Sequence, residues 1–384
     1  MNKIQSAYIH IPFCQQICHY CDFTKFFYNE KLADEYIEAL INEINVNVPG
    51  KQNKIKTIFI GGGTPTALNL IQLRKLLKFI NEKFDLTNCE EYTIEANPGD
   101  FDEEKVKLLH AYGVNRVSLG VQVFDDEMLK ELGRLHKISD VYKTLDLLKQ
   151  YNFTNISTDL IYALPNQTVE HFRKSLNEAL SLDLPHLSTY SLQIEPKTIF
   201  YQRHKKGKLH RPKPEEEVEM YHILMETTKL HGLEQYEISN FAKPGFESKH
   251  NLTYWSNEYY FGFGAGAYGY VPGKRYGNLR PLPAYTKKAM DEGTPILHTD
   301  EIGLREEIEE ELFLGLRRTK GVNKLEFKKK FGFPMDKYYR EALDELSNKQ
   351  WLKENKTDIY LTDEGKLLAN EVFERFLLDE VQVL

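Results

Sequence analysis

Tyr8-Ile-His-Ile-Pro-Phe-Cys14-Gln-Gln-Ile-Cys18-His-Tyr-Cys21-Asp-Phe23 gathers three of the chain's four cysteines into the spacing C-x3-C-x2-C. Three thiolates on one short loop converge on a metal centre, and soft sulfur ligands favour zinc or an iron–sulfur cluster over hard cations. A zinc knuckle would recruit His19 as a fourth ligand. A cubane on three cysteines differs from the usual four-cysteine electron carrier, because one iron keeps a position open for another ligand.

Downstream, apolar periods of two and of three to four residues alternate. Strands are expected at 56–60, 92–96, 116–120, 156–161 and 187–193, and helices at 32–48, 70–84, 103–111, 140–151, 169–182 and 215–230. Strands separated by helices at this spacing imply right-handed crossovers and a parallel sheet, here an α/β partial (βα)6 barrel. Chemistry in such barrels collects at the carboxyl ends of the strands. Gly61-Gly-Gly-Thr-Pro65, Glu95-Ala-Asn-Pro98, Gln122 and Asp159 all fall at or just past such ends.

Three units are expected: the barrel over 1–240, a connecting region over 241–300, and a mostly helical tail over 301–384. The basic stretch 200–214 is read as a solvated loop or lid edge, and 281–297 as connection. In 261–267, Phe-Gly-Phe-Gly-Ala-Gly-Ala, the small residues permit close backbone approach to a ligand or a neighbouring strand. The tail has the order of a winged helix, yet residues 321–384 hold 11 Lys and Arg against 13 Asp and Glu, a net of −2. A duplex binder needs a basic face, so the tail is read as a packing or lid domain.

The whole chain, 384 residues with a net charge of −7, has no general attraction for nucleic acid. It lacks an apolar run of about 18 residues and an amino-terminal secretory pattern, so a cytoplasmic protein without a transmembrane segment is expected. Clustered cysteines agree with a reducing compartment. Cys89 stands alone and reads as an ordinary thiol near a strand.

The cysteine spacing after a short strand resembles the radical S-adenosylmethionine (SAM) family. Tyr8-Ile-His-Ile-Pro-Phe-Cys14 and Tyr20-Cys21-Asp-Phe23 narrow the resemblance to the branch that contains the coproporphyrinogen oxidase HemN and the HemW-like haem chaperones. It implies a [4Fe-4S] cluster on Cys14, Cys18 and Cys21. It also implies SAM contacts for Tyr8, Tyr20, Gly62, Gly63, Thr64, Glu95, Gln122, Arg134 and Asp159. The glycines admit the methionine ammonium, the carboxylates suit the ribose hydroxyls, and Arg134 can pair with the SAM carboxylate.

Members with oxidase activity carry a further cysteine two residues after the third ligand, where this chain has Phe23. HemW-like members carry His-Asn-x-x-Tyr-Trp, present as His250-Asn251-Leu-Thr-Tyr254-Trp255. The resemblance associates this motif with haem: an imidazole for the iron and aromatic surface for the porphyrin. A buried histidine beside core aromatics is the plainer reading of the same residues. Tyr268-Gly269 departs from the family's histidine and serine. The implied function is haem binding and delivery to apo-haemoproteins, with an electron donor such as a flavodoxin or ferredoxin serving the cluster. Its alternative is oxidative decarboxylation of porphyrinogen propionates.

Overall fold

The computed structural model describes residues 4–48, 50 and 54–378, so the outermost residues of the first and last expected units lie outside it. Six parallel strands form the centre: β1 (Ser6–Ile11), β2 (Thr57–Gly62), β3 (Glu91–Ala96), β4 (Arg116–Gln122), β5 (Asn155–Tyr162) and β6 (His186–Ser191). They pair in sequence order. On the β6 side the sheet continues through antiparallel β8 (Asn240–Ala242) to β7 (Glu234–Glu237). On the other side β9 (Phe261–Phe263) pairs in parallel with β1.

Period-two alternation explains how each strand serves two environments. Ala7, Ile9 and Ile11 of β1, Ile58 and Ile60 of β2, and Val117, Leu119 and Val121 of β4 join the hydrophobic core beneath the helices. Their alternates, Ser6, Tyr8 and His10, then Thr57, then Glu91, Thr93 and Glu95, then Arg116 and Ser118, are polar and point into the barrel. The lumen is therefore largely polar, and its side chains bond to one another. Ser6, Thr57 and His250 form one chain, and Ser157, His186 and Tyr236 another.

Helix α1 (Glu30–Asn47) is capped by Asn29, whose side chain accepts from Leu32 N, a favoured N-cap arrangement. It buries Ala33, Tyr36, Ile37, Leu40 and Ile44 at helical spacing, each large aliphatic stabilising by about 1.5–3 kcal/mol. Helices α2 (Leu70–Lys83), α3 (Glu103–Ala111), α5 (Ile138–Gln150), α6 (Val169–Ser181) and α8 (Pro214–Leu230) cover the barrel as the periodicity predicts. Three short helices fall where it gave none: α4 (Asp126–Glu131), α7 (Ile199–Lys205) and α10 (Leu282–Glu292).

Two expectations are corrected by these helices. The basic stretch is no solvated loop at its start, because Phe200 is buried and α7 packs on the cysteine loop, with Phe200 N donating to His19 O at 3.0 Å. The segment 281–297 is a helix leading into strand β12 (Ile296–Glu301), which pairs with β11 (Lys274–Asn278), itself paired with β10 (Tyr268–Val271). Close approach at the glycine-rich stretch is realised between strands: a Cβ on Gly262 would lie 1.8 Å from Tyr268 O.

Beyond α9 (Lys249–Trp255) the tail runs α11 (Leu304–Gly315), β13 (Val322–Asn323), α12 (Lys324–Phe331), α13 (Asp336–Asn348), a β14 (Leu352–Glu354) and β15 (Asp358–Leu361) hairpin, then α14 (Asp363–Leu367) and α15 (Ala369–Glu374). It has its own hydrophobic core, including Ile308, Leu312, Phe327, Leu343 and Phe376. Among the described residues no helix is long and apolar enough to cross a membrane.

One buried carboxylate ties α1 to the glycine-rich stretch. Glu43 accepts from Gly264 N at 2.9 Å, from Asn278 Nδ2 at 2.6 Å and from the Tyr285 hydroxyl. With no cation among these partners, burial pushes its carboxyl up from 4.5 to about 7. The native state then holds a proton that the unfolded chain releases, so this group's contribution falls as pH rises from about 4.5 to about 7 and is flat outside that window. Glu43→Gln is expected to remove roughly 3 kcal/mol of that pH dependence. Thermal melts from pH 5 to 8 check it: parallel slopes for the two proteins would refute the assignment.

Candidate cofactor site at the carboxyl end of the barrel

β1 ends at Ile11, and after Pro12 the residues Phe13 and Cys14 pair in parallel with Phe26 and Phe27. Phe26 N donates to Pro12 O at 2.6 Å and Tyr28 N to Cys14 O at 2.9 Å. These bonds close the base of the cysteine loop over the barrel mouth. A small apolar cluster of Val123, Leu129, Leu132, Ile161, Leu192 and Phe200, with Tyr20 against it, seats the far side of the loop.

Cys14, Cys18 and Cys21 line one cavity of about 430 Å³. Tyr20, Gly62, Gly63, Thr64, Glu95, Gln122, Arg134 and Asp159 line it as well. Tyr8 does not; it stands deeper in the lumen, its hydroxyl 2.9 Å from His10 Nδ1. His10 Nε2 in turn reaches Thr24 O at 2.8 Å, which ties the lumen to the cysteine loop. Cys89 lies elsewhere, its thiol on Glu91 O at 3.5 Å.

The sulfurs have specific neighbours. Thr64 Oγ1 donates to Cys14 Sγ at 3.6 Å and Arg134 Nη1 to Cys18 Sγ at 3.3 Å. Burial pushes the Cys14 thiol up to about 12, so binding a metal there must displace a firmly held proton. The backbone at Gly63 comes so close that a Cβ would lie 3.0 Å from Cys14 Sγ. His19 does not line this cavity; its Nδ1 is 2.7 Å from Glu131 O. Among the described residues no His, Cys, Asp and Glu group converges on a single ion position. The three thiols that line this cavity are soft donors of the kind that hold an iron–sulfur cluster or zinc.

Two half-buried carboxylates face this cavity. Glu95 Oε2 accepts from Gly62 N at 2.8 Å; burial, with the Asp159 charge adding to it, raises its carboxyl to about 7. Asp159 accepts from Ser118 Oγ at 3.1 and 3.0 Å, and burial raises it too. Arg134 Nη2 donates to Asn97 Oδ1 at 2.6 Å and to Gly120 O. These neutral acceptors leave the guanidinium suited to an incoming carboxylate. The cavity thus offers soft sulfur, hydroxyl-binding carboxylates and a cation, the chemical complement of a cluster and SAM. Asn97, Ser118, Tyr190 and Gln193 also line it. Asn97 was within reach of the sequence reading, because it lies in the Glu95-Ala-Asn97-Pro98 motif.

The His250 motif is at the opposite end. Glu91, first residue of β3, accepts from Lys249 N at 2.8 Å, His250 N at 3.0 Å and Ser248 Oγ at 3.2 Å, and so caps the amino end of α9 with a carboxylate. His250 is fully buried, with Nδ1 2.9 Å from Thr57 Oγ1 and Nε2 2.8 Å from the Tyr254 hydroxyl. Burial lowers the imidazole to about 3. Both ring nitrogens are engaged, as a buried imidazole requires. Trp255 faces the tail, with the Arg317 guanidinium 4.6 Å from its ring.

Gln122 carries backbone strain at the cavity edge. Its φ is +72° and the β4–β5 register shifts between Leu119 and Gln122. Such strain costs of order 1 kcal/mol and collects at functional sites. Gln122→Gly is expected to leave thermal stability unchanged or raise it by up to about 1 kcal/mol, while removing the amide from the cavity. A large loss of stability on calorimetry would show that the side chain, not the backbone turn, is what the fold requires.

Residues 8–179 match the radical SAM superfamily and residues 303–368 the HemN C-terminal domain. The chain is 50% identical over 376 residues to the heme chaperone HemW of Bacillus subtilis (strain 168), covering 97% of this chain and 99% of that protein. It is 33% identical to the heme chaperone HemW of Escherichia coli (strain K12), covering 97% and 98%. In structure it is similar to the coproporphyrinogen III oxidase HemN of Escherichia coli, with a TM-score of 0.85, 24% identity, and coverage of 98% and 90%; that likeness shows the fold.

Proposed function

The chain belongs to the HemW family within the radical SAM superfamily, and from that premise we propose that it is a haem chaperone, binding haem and passing it to apo-haemoproteins. Cys14, Cys18 and Cys21 would hold a [4Fe-4S] cluster and the adjoining cavity would take SAM. The observation that carries the cofactor reading is that the three sulfurs and eight of the nine resemblance-assigned SAM residues line one cavity.

Gly62 and Gly63 would admit the ammonium with Thr64 beside them, Glu95 and Asp159 would accept from the ribose hydroxyls, and Gln122 would present an amide. Arg134 would take the carboxylate, and Tyr8 would act from behind through His10. A cluster with an open iron supplies one electron to a bound sulfonium. An electron donor such as a flavodoxin or ferredoxin, in a cytoplasmic setting, completes the reading. Phe23, 62% exposed at the cavity rim where the oxidase branch has a cysteine, weighs against porphyrinogen decarboxylation.

Haem is proposed to use His250, Asn251, Tyr254 and Trp255. Because His250 Nε2 is engaged by Tyr254, uptake must displace that hydroxyl. Tyr254→Phe leaves Nε2 without its competitor and is expected to tighten haem binding about three- to tenfold, whereas His250→Ala should abolish the imidazole-ligated haem spectrum. Anaerobic reconstitution with iron and sulfide should load about four irons per chain, with a spectroscopic response to SAM and no decarboxylation of coproporphyrinogen. A single zinc with no response to SAM would sink the cofactor reading; an unchanged haem spectrum in His250→Ala would move the cargo off this motif.

A further inference from the structure

Asn97, one residue past the end of β3, touches two of the groups that reach the cysteine sulfurs, Thr64 and Arg134. Its Nδ2 donates to Thr64 Oγ1 at 3.0 Å and to Asp100 Oδ2 at 3.2 Å, and its Oδ1 accepts from Arg134 Nη2 at 2.6 Å. The amide can face only one way. Reversed, its NH2 would meet a guanidinium and its oxygen a carboxylate.

That polarity has consequences two atoms away. The Thr64 hydroxyl has one proton; with Asn97 donating to its oxygen, the proton is left for Cys14 Sγ at 3.6 Å. On the other side, Oδ1 holds Nη2 of Arg134, leaving Nη1 directed at Cys18 Sγ at 3.3 Å. One carboxamide thereby orients the donors to two of the three sulfurs.

We propose that Asn97 is a positioning residue for the cluster. It keeps hydrogen bonds on Cys14 and Cys18, which stabilise the more negative reduced state and raise the reduction potential, and it holds Arg134 where the SAM carboxylate would meet it. This rests on the cluster and SAM reading above. A residue that merely filled space would move neither the potential nor the coupling to Thr64.

The test compares wild type, Asn97→Asp, Asn97→Ala, Thr64→Val and the Asn97→Asp/Thr64→Val double variant after anaerobic reconstitution. The readouts are iron content, midpoint potential by spectroscopic redox titration, and SAM affinity. In Asn97→Asp a near-isosteric carboxylate replaces the donor with an acceptor, so the Thr64 proton turns off Cys14. The potential should fall, as it should in Thr64→Val, and the shift from Asn97→Asp should shrink when position 64 is valine. Asn97→Ala, which adds no charge, should also lower the potential, and both Asn97 variants should weaken SAM roughly tenfold.

Unchanged potentials in clusters that assemble normally would overturn the proposal. So would full additivity in the double variant, which is what added charge alone produces. If Asn97→Asp assembles no cluster, Asn97→Ala carries the same comparison. A wild type that assembles none is a failure of the cofactor reading itself, visible before any variant is measured.

Discussion

A barrel whose inward residues are polar must pair them with one another, because each buried donor or acceptor left unmet costs about 1–3 kcal/mol. Here that requirement organises the molecule. Ser157 and Ser188 bond across β5 and β6, Ser118 donates to Asp159, and Gly62 N donates to Glu95. At the amino end the demand is met by a foreign element: α9 inserts His250 between Thr57 and Tyr254, and Glu91 binds its first backbone amides. At the carboxyl end pairing is incomplete in character rather than in number. Arg134 bonds to neutral oxygens and a sulfur, and two carboxylates stand raised by burial. The amino end is plugged by α9, whereas the open end carries the cavity.

This division separates two motifs that the sequence presents as equals. The cysteine loop and the residues after β2, β3 and β4 share one cavity, while His250 and its neighbours lie beneath the opposite rim. Within the lumen, Tyr8 bonds to His10, whose other nitrogen holds Thr24 O just past the third cysteine, so the barrel's polar interior reaches the base of the loop that carries the sulfurs.

The parallel barrel was legible because its covering helices are long and strictly periodic, and because Gly61-Gly-Gly-Thr-Pro65, Glu95 and Asp159 follow strands at the end where ligands bind. Three helices were not. Six residues in α4 and seven in α7 are too few for periodicity to show, and α10 begins at Pro281-Leu-Pro283, which reads as a break although proline is tolerated in a first helical turn. The depth of His250 was also hidden. Local sequence places it at the start of a short helix, and only the register of β1, β2 and β3 puts Ser6, Thr57 and Glu91 around that helix. Asn97 was passed over for a chemical reason: an amide has no charge to attract attention, and its importance lies in which neighbours it joins.

The tail meets the barrel at the plugged end, not at the cofactor cavity. Arg317 lies over Trp255 and Phe373, Arg318 Nη1 donates to Ser256 Oγ at 3.0 Å, Thr319 N donates to Tyr236 O at 3.0 Å, and Lys366 Nζ to Gln235 Oε1 at 2.8 Å. Two of these fall on Trp255 and the residue after it, so the tail braces the carboxyl end of α9. A desolvated cation over an indole is worth about 2 kcal/mol, yet burial also lowers the Arg317 guanidinium from its ordinary value, and its Nε and Trp255 Nε1 are buried without partners. The brace therefore holds by packing against an electrostatic cost. The tail's contacts lie at the far end of α9, the helix whose near end closes the barrel.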